Sequence, residues 1–202
     1  MELTCFLEKV ASATPTPGGG SVSAMAGALS ASLVAMVSGL SSRGEAFRKE
    51  EMRKIRREAL TLQKRLFLAI EEDAGSFDAV MDALRLPKET GNEKTRRRKA
   101  IQKAYQNATV VPRRVCQASI RLLELGGVLL SKGNPNAWSD TGVAIGVAKA
   151  SLEGGLLNVR INRGAIVDQR VRKEMGLWIK GIERKRDKLL APIEKQMMAR
   201  SV

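Results

Sequence analysis

The feature that most constrains this chain is a run without charged residues from position 18 to 42. Within it Ala24, Ala28, Ala31 and Ala35 recur at steps of three and four, which places them on one face of a helix. The run is long enough to cross a membrane. It is rich in Ser, Ala and Gly, however, and lacks flanking Trp or Tyr. We therefore predict a buried helix of a soluble bundle, at its centre or at a dimer seam, and keep a membrane-inserted or purely structural helical protein as an alternative.

The composition favours helices throughout. Hydrophobic residues make up 44% of the chain but aromatic residues only 3%, so the core must consist of aliphatic side chains that suit close-packed helices better than a β-sandwich. A length of 202 residues is typical of one domain. We predict an all-α fold: a single-domain bundle of about five to six long helices that spans residues 1–202.

Apolar periodicity and turn residues place the helices along the chain. The predicted helices are 3–11, 18–42, 45–86, 94–126 with a kink at Pro112, 139 or 140 to 162, and 165–199. Irregular segments are predicted at residues 14–17, at Gly126-Gly127, and at residues 131–136. A cap from Ser139 or Asp140 is expected to start the fifth helix.

The absence of histidine excludes Ser-His and Cys-His nucleophile chemistry. Cys5 and Cys116 are the only cysteines and form no CxxC pair, so we predict no metal site. The first residues lack a secretory leader, which favours the reducing cytoplasm. Any catalysis must use carboxylates, lysine, amides or backbone dipoles.

The formal charge of +14 and the pI near 10.3 make nucleic acid, an anionic membrane or an acidic small molecule plausible partners. Base stacking has little support because aromatic residues are scarce. The basic runs 53–57, 96–99 and 184–188 are typical of solvated helix faces. A basic helical nucleic-acid-binding protein remains the alternative function.

Four groups of residues are candidates for a functional site. The first is the glycine turn, Pro17, Gly18, Gly19, Gly20 and Ser21, whose backbone amides at the start of a helix favour an anion or another electron-rich group. For a glycine run taken alone, a tight turn with a Ser cap is the more common explanation. The second group comprises Lys132, Asn134, Asn136, Ser139 and Asp140, for which the alternatives are turn formation and helix capping.

The third group contains Asn158 and Asn162, one helical turn apart, with Arg160 between them. Its amides could bind a heterocycle or make a polar contact between helices. The fourth candidate is Asp73, for which a solvated charge is the more ordinary interpretation.

Several segments together resemble one family. They are residues 14–21 with the following Ala-rich helix, 77–81 leading to 86–88, Val111-Pro112, 133–136 through Ser139-Asp140, and 158–162. Nearly the whole chain resembles the cyclodeaminase/cyclohydrolase family, which comprises the C-terminal domain of formiminotransferase-cyclodeaminase and its free-standing bacterial relatives.

The resemblance implies a metal-free, all-helical homodimer that acts on a tetrahydrofolate derivative, with no cofactor beyond that substrate. The reaction is either the cyclodeamination of formiminotetrahydrofolate or the hydrolysis of methenyltetrahydrofolate. A carboxylate would stabilise the cationic one-carbon unit and move a proton. Asp140 is the first candidate for this role and Asp73 the second.

The remaining candidates would position the substrate. Lys132 would protonate a leaving group or hold a folate carboxylate, and the Asn side chains would bind the pterin edge. The basic surface would attract a polyglutamate tail. These roles require Asp140, Asn134 and Asn158 to fold beside the glycine turn.

Overall fold

The computed structural model describes residues 2–42 and 46–200. Its α-helices are α1 Leu3–Ala11, α2 Gly19–Leu40, α3 Ala46–Arg85, α4 Gly91–Ala108, α5 Val110–Lys132, α6 Trp138–Gly164 and α7 Gln169–Arg200, and a 3₁₀ turn spans Pro135–Ala137. The all-α fold is therefore confirmed, with six long helices and a short one among the described residues. The predicted helix start at residue 45 lies outside them.

Helix α2 is the central element, and it packs against α3, α5 and α6. Small residues make this possible: a Cβ added to Gly27 would lie 2.8 Å from Ser151 Oγ on α6. Buried hydroxyls on the same helices are satisfied by backbone carbonyls. Ser30 donates to Ala144 O at 2.8 Å, and Ser151 donates to Ser23 O at 2.7 Å. The predicted buried central helix is confirmed.

By length and composition α2 could also cross a membrane, with a mean hydropathy of 1.6 over its most apolar window. Of that window, 61% is buried inside the protein. Most of this apolar window is therefore covered by the other helices of the bundle.

The main core is a single cluster of aliphatic side chains contributed chiefly by α2, α3, α5 and α6. A small satellite cluster, Val80 with Ala83, Ala104 and Ala108, joins the end of α3 to α4. Helix α7 lies on the outside, where ion pairs such as Lys149–Glu194 and Arg186–Glu153 connect it to α6.

The single helix predicted over residues 94–126 is wrong, because the chain forms two helices that meet at Thr109. The break precedes Pro112 by three residues. Pro112 has no N–H to donate to Ala108 O, the carbonyl four residues earlier. That carbonyl instead accepts a hydrogen bond of 2.8 Å from Asn162 Nδ2 on α6.

The predicted turn at Gly126-Gly127 is also wrong, since both residues lie inside α5. A Cβ on Gly126 would come within 2.7 Å of Ile145 Cγ1. This glycine therefore allows α5 and α6 to pack closely, and the irregular segment begins only at Gly133.

Three helix starts differ from the predictions. Helix α4 starts at Gly91 because Thr90 and Glu93 form a capping box. Helix α7 starts at Gln169, not at residue 165, because Asp168 Oδ1 accepts the Arg170 and Val171 amides. Neither Ser139 nor Asp140 caps α6, which starts at Trp138 directly after the 3₁₀ turn, so both residues lie in its first turn.

Candidate functional site

The glycine turn lies at the amino end of α2. Gly18 is the N-cap and supplies no side-chain hydrogen bond to the first turn. The chain reaches it through a cis Thr16-Pro17 bond. Because no cap side chain accepts from the first-turn N–H groups, these groups and the positive end of the helix dipole face the space beyond the helix end.

Asp73 of α3 is held against this end. The Ser21 hydroxyl lies 2.9 Å from Ile70 O and 3.2 Å from Asp73 Oδ2, and its one proton can be donated to either. Gly20 makes the approach possible, because a Cβ at that position would overlap both carboxylate oxygens of Asp73. The two candidate groups are therefore adjacent in the structure.

The environment of Asp73 alters its acidity. Burial raises the pKa of the Asp73 carboxyl above its ordinary value, while the hydroxyl and backbone amide of Ser21 oppose that rise. A carboxyl with a raised pKa can both hold and release a proton at a pH closer to neutral than an ordinary exposed aspartate can.

Asn158 of α6 joins the same place. Its Nδ2 donates to Gly154 O at 2.9 Å and lies 4.0 Å from where a Cβ of Gly19 would be. Gly154 in turn packs directly on Ser23 of α2. We refer to Pro17, Gly18, Gly19, Gly20, Ser21, Asp73 and Asn158 as the amino-end cluster.

Exposed apolar side chains lie close to Asp73 and Asn158 along their helices. Phe77, one helical turn after Asp73, is 37% exposed, and Leu157 and Ile161, on either side of Asn158 along α6, are 57% and 73% exposed. Exposed apolar groups beside polar ones suit a flat heterocycle. No local motif marks these three residues, although the i+4 spacing from Asp73 would have indicated Phe77.

The second candidate group lies at the opposite end of α2. Asn134 N donates to Ser41 Oγ at 2.8 Å and Asn134 Nδ2 to Leu40 O at 3.4 Å, so this residue binds the carboxyl end of α2. Asn136 N donates to Asn134 Oδ1, and Lys132 Nζ pairs with Glu51 at 2.7 Å. We refer to Lys132, Asn134, Asn136, Ser139 and Asp140 as the carboxyl-end cluster.

A groove of about 280 Å³ opens at the carboxyl-end cluster. Arg48 of α3 lines it together with Lys132 and Asn134. Arg48 was not among the predicted site residues, because it is distant from them in the chain. Asp140 has no hydrogen bond or ion pair with any residue that the structure describes. Its carboxylate is therefore available to another molecule.

The two clusters are far apart within one chain. Helix α2 has 22 residues, which at about 1.5 Å per residue corresponds to about 33 Å. The expectation that Asn158 folds beside the glycine turn is confirmed. The expectation that Asp140 and Asn134 do so is wrong for a single chain, because their loop packs on the far end of α2.

Two further candidates connect helices. Arg160 forms an ion pair with Glu183 of α7, and Asn162 donates to Ala108 O. Both contacts join α6 to its neighbours, which is the structural alternative that the sequence left open for this segment.

Other features lie outside both clusters. A groove of about 500 Å³ between α3 and α5 is rimmed by the ion pairs Glu72–Arg114 and Glu58–Arg121, and Arg65 also lines it. Within residues 2–42 and 46–200, no three Cys, Asp or Glu side chains are grouped closely enough to hold a metal ion.

The fold and the amino-end cluster define an all-helical protein with a partly buried carboxylate at the start of its central helix. Comparisons identify its relatives. The family model described as formiminotransferase-cyclodeaminase matches residues 2–179, and the methenyltetrahydrofolate cyclohydrolase of Methylorubrum extorquens is 36% identical over 88% of this chain and 86% of its own. The chain belongs to the formiminotransferase-cyclodeaminase family.

Two other relatives are informative. The crystal structure of formiminotetrahydrofolate cyclodeaminase from Thermotoga maritima superposes with a TM-score of 0.90, at 26% identity, over 100% of this chain and 98% of that one. The formimidoyltransferase-cyclodeaminase of Gallus gallus is 32% identical over 85% of this chain. That match covers 32% of the chicken protein, so this chain corresponds to about a third of it.

Proposed function

We propose that this protein is a folate one-carbon enzyme that acts on the bridge between N5 and N10 of tetrahydrofolate. The observation that carries the proposal is the position of the Asp73 carboxyl, whose pKa is raised by burial. It lies against the α2 amino end because Ser21 donates a hydrogen bond to it and because Gly20 has no side chain in its way. The methenyl bridge is a delocalised cation, and a nearby carboxylate stabilises it and accepts a proton from the attacking water.

The same arrangement serves both reactions of the family. Hydrolysis of methenyltetrahydrofolate and cyclodeamination of formiminotetrahydrofolate both pass through a tetrahedral carbon at which one proton must move. Asp73 would move that proton, and the α2 amides with Asn158 would bind a polar edge of the ring system. Neither step calls for a cofactor beyond the tetrahydrofolate itself.

Hydrolysis of methenyltetrahydrofolate is the better-supported reaction, because the cyclohydrolase relative is 36% identical over most of both chains. Cyclodeamination is the second candidate, supported by the likeness to the Thermotoga maritima cyclodeaminase over the full chain. The comparisons give no support to the nucleic-acid alternative.

The test compares the two substrates with the purified protein. Loss of the near-ultraviolet absorbance of methenyltetrahydrofolate reports hydrolysis, and ammonia release from formiminotetrahydrofolate reports cyclodeamination. Asp73→Asn should lower kcat by at least about a hundredfold, the usual contribution of a positioned proton-transfer group. Asp78→Asn, five residues along the same helix, is the matched control and should change kcat little. Folded protein that accelerates neither reaction would exclude the proposal.

Three finer features complete the proposed function. The net charge of +14 would attract the polyglutamate tail of a folate. The protein would work as a homodimer. It would reside in the cytoplasm, where the free thiols of Cys5 and Cys116 stay reduced.

A further inference from the structure

The groove between α3 and α5, which we call the α3–α5 groove, has an apolar floor. Its volume of about 500 Å³ lies within the range of about 300–1,000 Å³ for small-molecule sites. The floor consists of buried or partly buried aliphatic side chains, which are Leu62, Leu66, Ala69, Val115 and Ala118. No aromatic side chain among the described residues lines the groove. It therefore offers contact to an aliphatic chain but no stacking surface to a ring.

Ion pairs cross the α3–α5 groove at both ends. At one end Arg121 donates to both carboxylate oxygens of Glu58, at 2.6 and 2.8 Å. At the other end Arg114 pairs with Glu72. The stretch of α3 between the two pairs is about 21 Å long, at about 1.5 Å per residue. The two pairs therefore bound an elongated groove rather than a round cavity.

Arg65 lies midway between the two ion pairs on α3 and has no counter-ion. It lines the groove and forms no hydrogen bond or ion pair with any residue that the structure describes. The residues of α3 that lie one helical turn from it carry no charge; they are Thr61, Leu62, Leu68 and Ala69. Helix α3 therefore cannot neutralise Arg65 by itself.

Helix α5 does not neutralise Arg65 either. The two ion pairs show that α3 and α5 run antiparallel, so Arg65 is level with Gln117, an uncharged residue that also lines the groove. Three arginines and two glutamates line the groove in all. Glu124, beyond the groove, also pairs with Arg121 but is itself paired with Lys185. One positive charge in the middle of an apolar groove is thus left uncompensated.

We propose that the α3–α5 groove binds a medium-chain aliphatic monocarboxylate, with its carboxylate on Arg65 and its chain along the apolar floor. A guanidinium binds a carboxylate through two parallel hydrogen bonds, and one negative charge matches the one uncompensated cation. The chain removes apolar surface of the floor from water. A more highly charged anion would be repelled by the carboxylates of Glu58 and Glu72 at the ends of the groove.

The α3–α5 groove is separate from the amino-end cluster, although both use the same turn of α3. Asp73 packs on Gly20 of α2, whereas the preceding residue, Glu72, pairs with Arg114 of α5. Consecutive residues of a helix point about 100° apart around its axis. A ligand in the groove therefore leaves the amino-end cluster free, and the inference does not depend on the proposed function.

The first experiment is isothermal titration calorimetry with octanoate. The wild type should bind about one octanoate per chain with a Kd below about 1 mM. Acetate and octanol, which keep only the carboxylate or only the chain, should bind at least about tenfold more weakly. Arg65→Gln should weaken octanoate binding by a similar factor. Arg53→Gln removes the same charge from an exposed position of α3 outside the groove, and should bind like the wild type. No binding by the wild type, equal affinity for acetate, or unchanged affinity in Arg65→Gln would overturn the proposal.

The second experiment supplies the missing carboxylate from within the chain. Gln117→Glu places an acid level with Arg65, so it should pair with Arg65 and weaken octanoate binding at least about tenfold while leaving the arginine in place. Gln169→Glu adds the same charge at an exposed position of α7 and is the matched control. Asp73→Asn should bind octanoate like the wild type, because the amino-end cluster is not involved. Octanoate binding that survives Gln117→Glu but is lost in Asp73→Asn would place the ligand in the amino-end cluster and overturn the proposal.

Discussion

At the scale of single residues, the site depends on the lack of a side chain at Gly20. Ala at position 20 would direct its methyl group into the Asp73 carboxylate, so Gly20→Ala should displace Asp73 from the α2 amides. We expect a loss of kcat of at least about tenfold, within the range for a misplaced proton-transfer group. The measurement is kcat with methenyltetrahydrofolate.

Gly75→Ala is the control for that substitution. Gly75 lies inside α3, two residues after Asp73, with nothing within 4 Å of an added Cβ. Alanine there should raise the free energy of unfolding by about 0.5–1 kcal/mol and preserve kcat. Equal kcat for both variants would mean that the contact of Gly20 with Asp73 has no role in turnover.

Asp73 should also affect stability in a pH-dependent way. Burial raises its pKa in the folded state, so the folded protein binds this proton more tightly than the unfolded chain does. Below the ordinary aspartate pKa both states are protonated and ionisation costs nothing. As the pH rises through the raised pKa, the stability of the wild type should fall relative to Asp73→Asn. Urea unfolding of both proteins across this pH range measures the difference between their free energies of unfolding. If the wild type instead became more stable relative to Asp73→Asn as the pH rises, the prediction would be wrong.

At the scale of the helices, the junction between α4 and α5 should be stabilised by α6. Pro112 leaves Ala108 O without a helical donor, and Asn162 Nδ2 supplies one at 2.8 Å. Asn162→Leu should lower the free energy of unfolding by about 1–3 kcal/mol, the cost of a part-buried carbonyl left unsatisfied.

The partner substitution isolates that hydrogen bond. Pro112→Ala restores a backbone N–H that can bond to Ala108 O, so Asn162→Leu should cost less in its presence. A double-mutant cycle by urea unfolding gives the coupling. Additive effects would show that Asn162 acts on stability by another route.

The helices show what the sequence could predict. A charge-free run of small residues is a local pattern, so α2 and its central position were predictable, and so were α1 and the all-α class. The break at Thr109 and the helical Gly126 were not, because both depend on contacts with α6, at Asn162 and Ile145. Periodicity carries no information about which carbonyl another helix will satisfy.

The candidate site was predictable in its parts but not in its assembly. The glycine turn and Asn158 were correctly expected to be neighbours. Asp73 stands among other acidic residues, and only its packing on Gly20 and Ser21 distinguishes it. Asp140 ranked first from its motif, but its distance from the glycine turn is set by the length and direction of α2, which no local motif encodes.

At the scale of the whole molecule, the net charge of +14 acts on anions beyond the site itself. A folate with several glutamates carries more negative charge than the monoglutamate and should be drawn more strongly to the protein. At low ionic strength we expect a lower KM for a pentaglutamate than for the monoglutamate, with a similar kcat, because the tail lies away from the reacting carbon.

The difference between the two substrates should depend on salt. The Debye length shortens from about 30 Å at 0.01 M salt to about 8 Å at 0.15 M, so the two KM values should become more similar as salt is added. Steady-state kinetics across this range tests the expectation, with the monoglutamate as the internal control. Equal KM values at low salt would show that the basic surface serves something other than the folate tail.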